Sequence, residues 1–137
     1  MTPQELGLSA EYYIRCLLVA HGRKVKLQRR REPFDMLVDG RWRVEVKAAQ
    51  SQRQGTGGHQ PVWKFNIHRH GKVEETDTDL YILRLENVPF CRYAVYLLFK
   101  APVKAPTITI SFRSLLNGRG QHAQAFRHFC RTGKLLE

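Results

Sequence analysis

At 137 residues and 16.0 kDa, 42% of them apolar, the chain has material for one compact core but not two, so a single domain spanning residues 1–137 is expected. No apolar run of about eighteen residues occurs, and no charged leader with an apolar stretch opens the chain, so the reading is a soluble, intracellular protein with no membrane partner. Twenty-three Lys and Arg against twelve Asp and Glu give a formal charge of +11, which draws a polyanion through counterion release and makes nucleic acid the expected partner.

In chain order, Thr2, Pro3 and Glu5 predict a helix start: a threonine cap, proline at the first position and a glutamate reaching back to the cap. Leu6, Tyr13, Ile14, Leu17 and Leu18 recur at helical spacing to about Ala20, and Gly22 is placed to end the helix in a left-handed turn. The segment from His21 to Arg31 follows, carrying Arg23, Lys24, Lys26, Arg29, Arg30 and Arg31 with no acid among them. It reads as a phosphate-facing stripe.

From Phe34 to Ala48 the period changes to two, predicting a hairpin turning at Asp39-Gly40. Phe34, Met36 and Val38 must share a buried face with Trp42, Val44 and Val46. A two-residue turn would pair Asp35 with Val44 and break that match, whereas a three-residue turn with Gly40 in the left-handed conformation restores it. Gln50 to Pro61 reads as a loop long enough to close over a substrate. Its Gln50, Gln52, Gln54, Gln60 and Arg53 suit nucleic-acid contacts and suit polar filler equally.

Further strands are predicted over Val62–His68, Leu80–Leu85, Tyr93–Phe99 and Thr107–Phe112, and a last helix over Gln121–Arg131. These elements predict an α/β or α+β domain with a mixed central sheet. Trp63, Phe65, Tyr93, Tyr96 and Phe99 are spaced for core packing. Cys16, Cys91 and Cys130 form no C-x-x-C pair and read as reduced core thiols. His68 and His70 share a strand face without a third ligand, and His122 and His128 share no helical face, so none reads as a metal site. The acids Glu74, Glu75, Asp77 and Asp79 read as a solvated loop.

In the three-residue register, Asp35, Glu45 and Lys47 emerge together on the face opposite the core. Two converging carboxylates suit a hard cation such as Mg²⁺, which polarises a phosphodiester and lowers the pKa of a bound water, with Lys47 orienting that water or stabilising the developing oxyanion. The alternative is an exposed strand with cross-strand ion pairs, each contributing roughly 0.2–1 kcal/mol. Glu11 lies on the helical stripe of Gly7, Ile14 and Leu18, where an acid needs a partner. A metal is one candidate and Arg15, four residues on, is the other.

This order of motifs, a helix bearing Glu11, then Pro33-Phe34-Asp35, then Glu45-Val46-Lys47 on the next strand, resembles the PD-(D/E)XK nuclease superfamily. The resemblance implies an α/β, restriction-endonuclease-like core with a mixed central sheet flanked by helices. It also implies Asp35 and Glu45 as Mg²⁺ ligands, with Glu11 and Val46 in the metal set, Mn²⁺ able to substitute, and Lys47 as the catalytic lysine. Arg53 and Lys64 join the basic stripe as expected DNA contacts. The first half looks most like archaeal-type Holliday-junction resolvases, which implies a homodimer acting on four-way junctions, with Val88, Pro89 and Phe90 or the last helix as interface candidates. The second half, with strands where those enzymes carry a helix, is more similar to endonucleases associated with group I introns. A non-catalytic basic nucleic-acid-binding module is the remaining alternative.

Overall fold

A computed structural model describes residues 2–28, 34–53, 60–67, 78–117 and 120–136, with Arg53 and Asn117 as backbone alone. Helix α1 (Pro3–Ala20) starts as its sequence predicts: Thr2 Oγ1 accepts the Glu5 amide at 3.1 Å and the Glu5 carboxylate accepts the Thr2 amide at 3.3 Å. Gly22, at φ 91°, follows its last turn. Leu6, Ala10, Ile14 and Leu18 form the buried row, while Tyr13 stays half exposed and stacks on Tyr96 with ring centroids 5.2 Å apart.

The basic segment contains a strand that its composition hides, β1 (Val25–Leu27), antiparallel to β2 (Met36–Val38). Its side chains are largely exposed, so no period of two marks it in the sequence. β2 turns into β3 (Trp42–Ala49) with Met36 opposite Val44 and Val38 opposite Trp42. That register leaves Asp39, Gly40 and Arg41 in the turn, as the apolar pattern requires. Asp39 and Gly40 sit at φ 55° and 66°.

The remaining elements are β4 (Gln52–Arg53), β5 (Pro61–Asn66), β6 (Leu80–Leu85), β7 (Val95–Lys100), β8 (Thr107–Ser111), α2 (Phe112–Asn117) and α3 (Gly120–Thr132). β4 corrects the expectation of an uninterrupted loop over 50–61. It is held by two paired positions on β5, a tertiary contact that periodicity does not reveal. α2 begins where the predicted strand over 107–112 was to end.

The central sheet runs β1-β2-β3-β6-β7, parallel between β3 and β6 and antiparallel elsewhere, and β4-β5-β8 form a second sheet. Met36, Val38, Val44, Val46, Leu80 and Ile82 pack with α1 and α3 on one face. Tyr81, Leu83, Leu85 and Leu97 pack with Trp63, Phe65, Ile108 and Ile110 of the second sheet on the other. The expectation of one core is therefore corrected to two apolar clusters sharing a sheet. β6 shows why: a strand covered on both faces is apolar at nearly every position, and only Arg84 interrupts it.

Three smaller expectations are also corrected. Cys130 is buried, but Cys16 and Cys91 are exposed. Tyr93 lies outside the core, whereas Tyr96 is stacked between Tyr13 and Phe126. Val88 is buried, leaving Phe90 exposed beside it. Among the described residues, no helix is long and apolar enough to cross a membrane.

Candidate active site

Along β3 the side chains alternate between the two faces of the sheet. Val44 and Val46 join the helix-side cluster, while Glu45 and Lys47 turn the other way, opposite Tyr81 and Leu83. That second face is covered rather than open, which corrects the expectation that these groups emerge into solvent: Glu45 is only 6% exposed. A carboxylate so enclosed needs partners. Lys47 Nζ lies 3.2 Å from Oε1, and Thr78 Oγ1, itself buried, donates to Oε2 at 3.5 Å.

Asp35 closes the other side of the strand. The Asp35 amide still donates to the Val44 carbonyl at 2.9 Å, but the β2 ladder ends there. The next β3 amide facing that side, Val46, would lack a strand partner, and Asp35 Oδ2 accepts it at 2.6 Å. A charged acceptor on a backbone amide is a strong hydrogen bond, so it fixes the carboxylate at the point where β2 and β3 splay apart.

Glu11 reaches the same point from α1, which packs on β3. Burial first, then the neighbouring Asp35 charge and a side-chain hydrogen bond with Asp35, push the Glu11 carboxyl up to about 7. Arg15 is exposed and contributes nothing to that shift. Glu11 is thus partnered by Asp35, not by the helical salt bridge that the sequence left open. Two carboxylates share one proton-rich spot, a Glu45–Lys47 pair stands on the adjacent strand, and the Val46 backbone joins them. Among the described residues, no three Asp, Glu, His or Cys side chains form a ready-made metal cage.

The other end of β3 differs. Arg43 clamps Asp79 through Nε at 3.2 Å and Nη2 at 3.1 Å, and its amide donates to the same carboxylate at 2.8 Å. The Arg43 side-chain hydrogen bonds hold the Asp79 carboxyl below its usual range, with burial opposing. Asp79 is therefore an ion-pair partner rather than part of a solvated acidic loop. Glu74, Glu75 and Asp77 lie outside the described residues.

The expected DNA contacts divide. Arg23 is ion-paired with Asp39 at 3.1 Å. Gly133 packs against this pair so closely that a Cβ there would collide with the Asp39 carboxylate, and its φ of 70° also favours glycine. Lys24, Lys26 and Lys64 are exposed. Arg29, Arg30 and Arg31, the Arg53 side chain, His68 and His70 lie outside the described residues. His122 stacks on Phe99 with centroids 4.1 Å apart and places Nδ1 3.1 Å from the Leu98 carbonyl, a packing role.

Thr78 and Arg43 escaped the sequence reading because the parallel pairing of β3 with β6 brings them to their partners, and nothing local announces that pairing. A cavity of about 560 Å³ lined by Tyr13, Tyr96, Phe126 and Arg127 lies away from the carboxylates. A smaller one, about 330 Å³, adjoins the end of β3 at Ala48, Gln50, Gln52 and Lys64.

No protein-family model matches the chain, and no curated protein matches its sequence. Among solved structures it is similar to a bacterial homing endonuclease, I-Ssp6803I, with a TM-score of 0.58 over 80% of this chain and 78% of that one, at 16% identity. At that identity the likeness establishes the fold: an α/β architecture with a mixed central sheet flanked by helices, shared with a nuclease.

Proposed function

We propose that this chain is a Mg²⁺-dependent DNA endonuclease of the sequence-specific, homing type, with Glu11, Asp35, Glu45 and Lys47 as its catalytic residues. The observation that carries the reading is the splay between β2 and β3. There Glu11 meets Asp35 and Asp35 holds the Val46 amide, one position along β3 from each member of the Glu45–Lys47 pair. A fold alone does not assign an activity, so these residues carry more weight than the similarity does.

The donor set suits the ion. Mg²⁺ is commonly held by one or two carboxylates, with water and substrate phosphates completing its shell, so a closed protein cage is not required. Asp35 and Glu45 would hold it, with Glu11 as auxiliary acid. The Val46 carbonyl, which shares its amide's side of the strand, would be the backbone oxygen. Mn²⁺ has the same preference for oxygen ligands. When bound, such an ion polarises a phosphodiester and lowers the pKa of an attacking water. Lys47, held beside Glu45, orients that water or neutralises charge developing on the phosphoryl oxygens. Lys24, Lys26 and Lys64, in a chain of net charge +11, attract the DNA backbone.

The test is cleavage by wild type and Glu45→Ala, with Mg²⁺, of a labelled four-way junction, a linear duplex of the same arms, and a pool of long duplexes. The expected result is cutting at few duplex sequences, abolished in the variant while DNA binding persists. Retained cleavage in Glu45→Ala would sink the assignment. Binding without cleavage under any divalent metal would point to a non-catalytic module. Paired symmetric nicks confined to the junction would move the reading to a homodimeric resolvase, although β4 and β5 follow Lys47 where the resolvase resemblance calls for a helix.

A further inference from the structure

The outer face of the second sheet carries a pattern that the catalytic residues do not use. Along β5, Trp63 and Phe65 turn into the core, while on the other side Val62 is buried and Lys64 and Asn66 are exposed. Along β8, Ile108 and Ile110 turn inward while Thr107 and Thr109 turn outward. The register sets Lys64 opposite Thr109 and Asn66 opposite Thr107, so the four side chains form one continuous patch across two antiparallel strands. Gln52, exposed on β4, extends it.

An outward sheet face must be polar, but a solvated one usually mixes both charge signs. Here no residue of β4, β5 or β8 is acidic, and the exposed outward side chains are a lysine, amides and hydroxyls. Lys64 also lines a small cavity with Ala48, the residue after Lys47 on β3. A two-stranded ribbon fits the major groove, about 12 Å wide, where base edges present a distinct pattern for each pair.

We propose that the outer face of β5 and β8 reads base edges in the DNA major groove, Asn66 and Thr109 contacting bases and Lys64 anchoring the phosphate backbone. The asparagine amide offers a donor and an acceptor together, matching adenine N6 and N7, and a threonine offers a hydroxyl for hydrogen bonding and a methyl for thymine. Lysine contacts to phosphate fix register without reading sequence. The proposal rests on the endonuclease reading for its choice of partner but not for its test.

That test is a binding selection from duplex DNA with a random central segment, run in EDTA so that recognition is read without cleavage. Wild type is expected to enrich a motif. Asn66→Ala is expected to lose the preference at one or two adjacent positions, its affinity for the enriched sequence falling roughly 10-fold to 100-fold while its affinity for unrelated duplex holds. Lys64→Ala is expected to weaken both alike and to lower the salt slope by about 0.9. All three positions are exposed, so melting should match wild type, and a melting control separates misfolding from lost contacts. A motif left intact in both Asn66→Ala and Thr109→Ala, or no motif in wild type, would overturn the base-reading role. A chain that enriches a motif through Asn66 yet never cuts DNA overturns the endonuclease reading instead, so the two failures are distinguishable.

Discussion

Two acidic places flank the same strand and are balanced in opposite ways. At the Arg43 end of β3, Asp79 meets a guanidinium and an amide, and its carboxyl is held below the usual range. At the other end Glu11 meets Asp35, a second carboxylate, and is pushed up to about 7. The first place has its counter-charge within the chain and acts as a structural clamp. The second crowds two carboxyl groups together beside a backbone amide, which is costly to a fold and useful to a site that takes a cation. The contrast separates structural acids from candidate functional ones where charge counting cannot.

The largest expected effect breaks the second place chemically. Asp35→Asn or Glu45→Ala should lower Mg²⁺-dependent cleavage by on the order of 10²–10³-fold or more, with DNA affinity retained, as measured by single-turnover cleavage beside a binding assay. Breaking the first place should instead cost stability. Asp79→Ala strands the Arg43 donors, and the expected loss is about 1–2 kcal/mol, read as a melting temperature lower by roughly 3–8 °C, with the chemical step unchanged.

The two places also answer pH with opposite sign. The raised Glu11 pKa means the folded chain holds a proton that the unfolded chain has released. Its contribution to stability therefore falls as pH rises from the ordinary carboxyl value of 4.5 towards about 7, and the full cost remains above that. The depressed Asp79 pKa contributes stability above the ordinary value of 3.8, lost as pH falls through the lower folded value. Glu11→Gln should flatten the melting profile between those first two pH values and raise melting by a few degrees above pH 7, leaving the acid limb intact. The smallest effect sharpens the account at the surface. Lys26→Ala should weaken DNA binding about equally on all sequences and lower the salt slope by about 0.9, whereas Arg23→Ala, ion-paired with Asp39, should change that slope little.

Much of this was legible where local chemistry decides. The Thr2–Glu5 cap and Gly22 bounded α1, and the apolar pattern of the hairpin required the three-residue turn that is observed. What escaped depends on long-range pairing. β1 and β4 are short strands held by neighbours, with no period of their own. The burial of Glu45 follows from a second sheet whose packing on β6 no local pattern announces. The Glu11–Asp35 contact joins a helix to a strand end 24 positions on: the sequence marked Glu11 as an acid needing a partner, with a metal favoured and Arg15 left open.

The most direct test of the central claim, that the crowded carboxylates at the β2–β3 splay form a cation site, is the melting temperature at pH 8 with and without Mn²⁺ for wild type, Asp35→Asn and Asp79→Asn. A ligand bound only by the folded chain raises its stability by mass action. Mn²⁺ is expected to raise melting by several degrees in wild type and in Asp79→Asn, and Asp35→Asn to lose this response. An equal response in all three chains, or none in wild type, would contradict it.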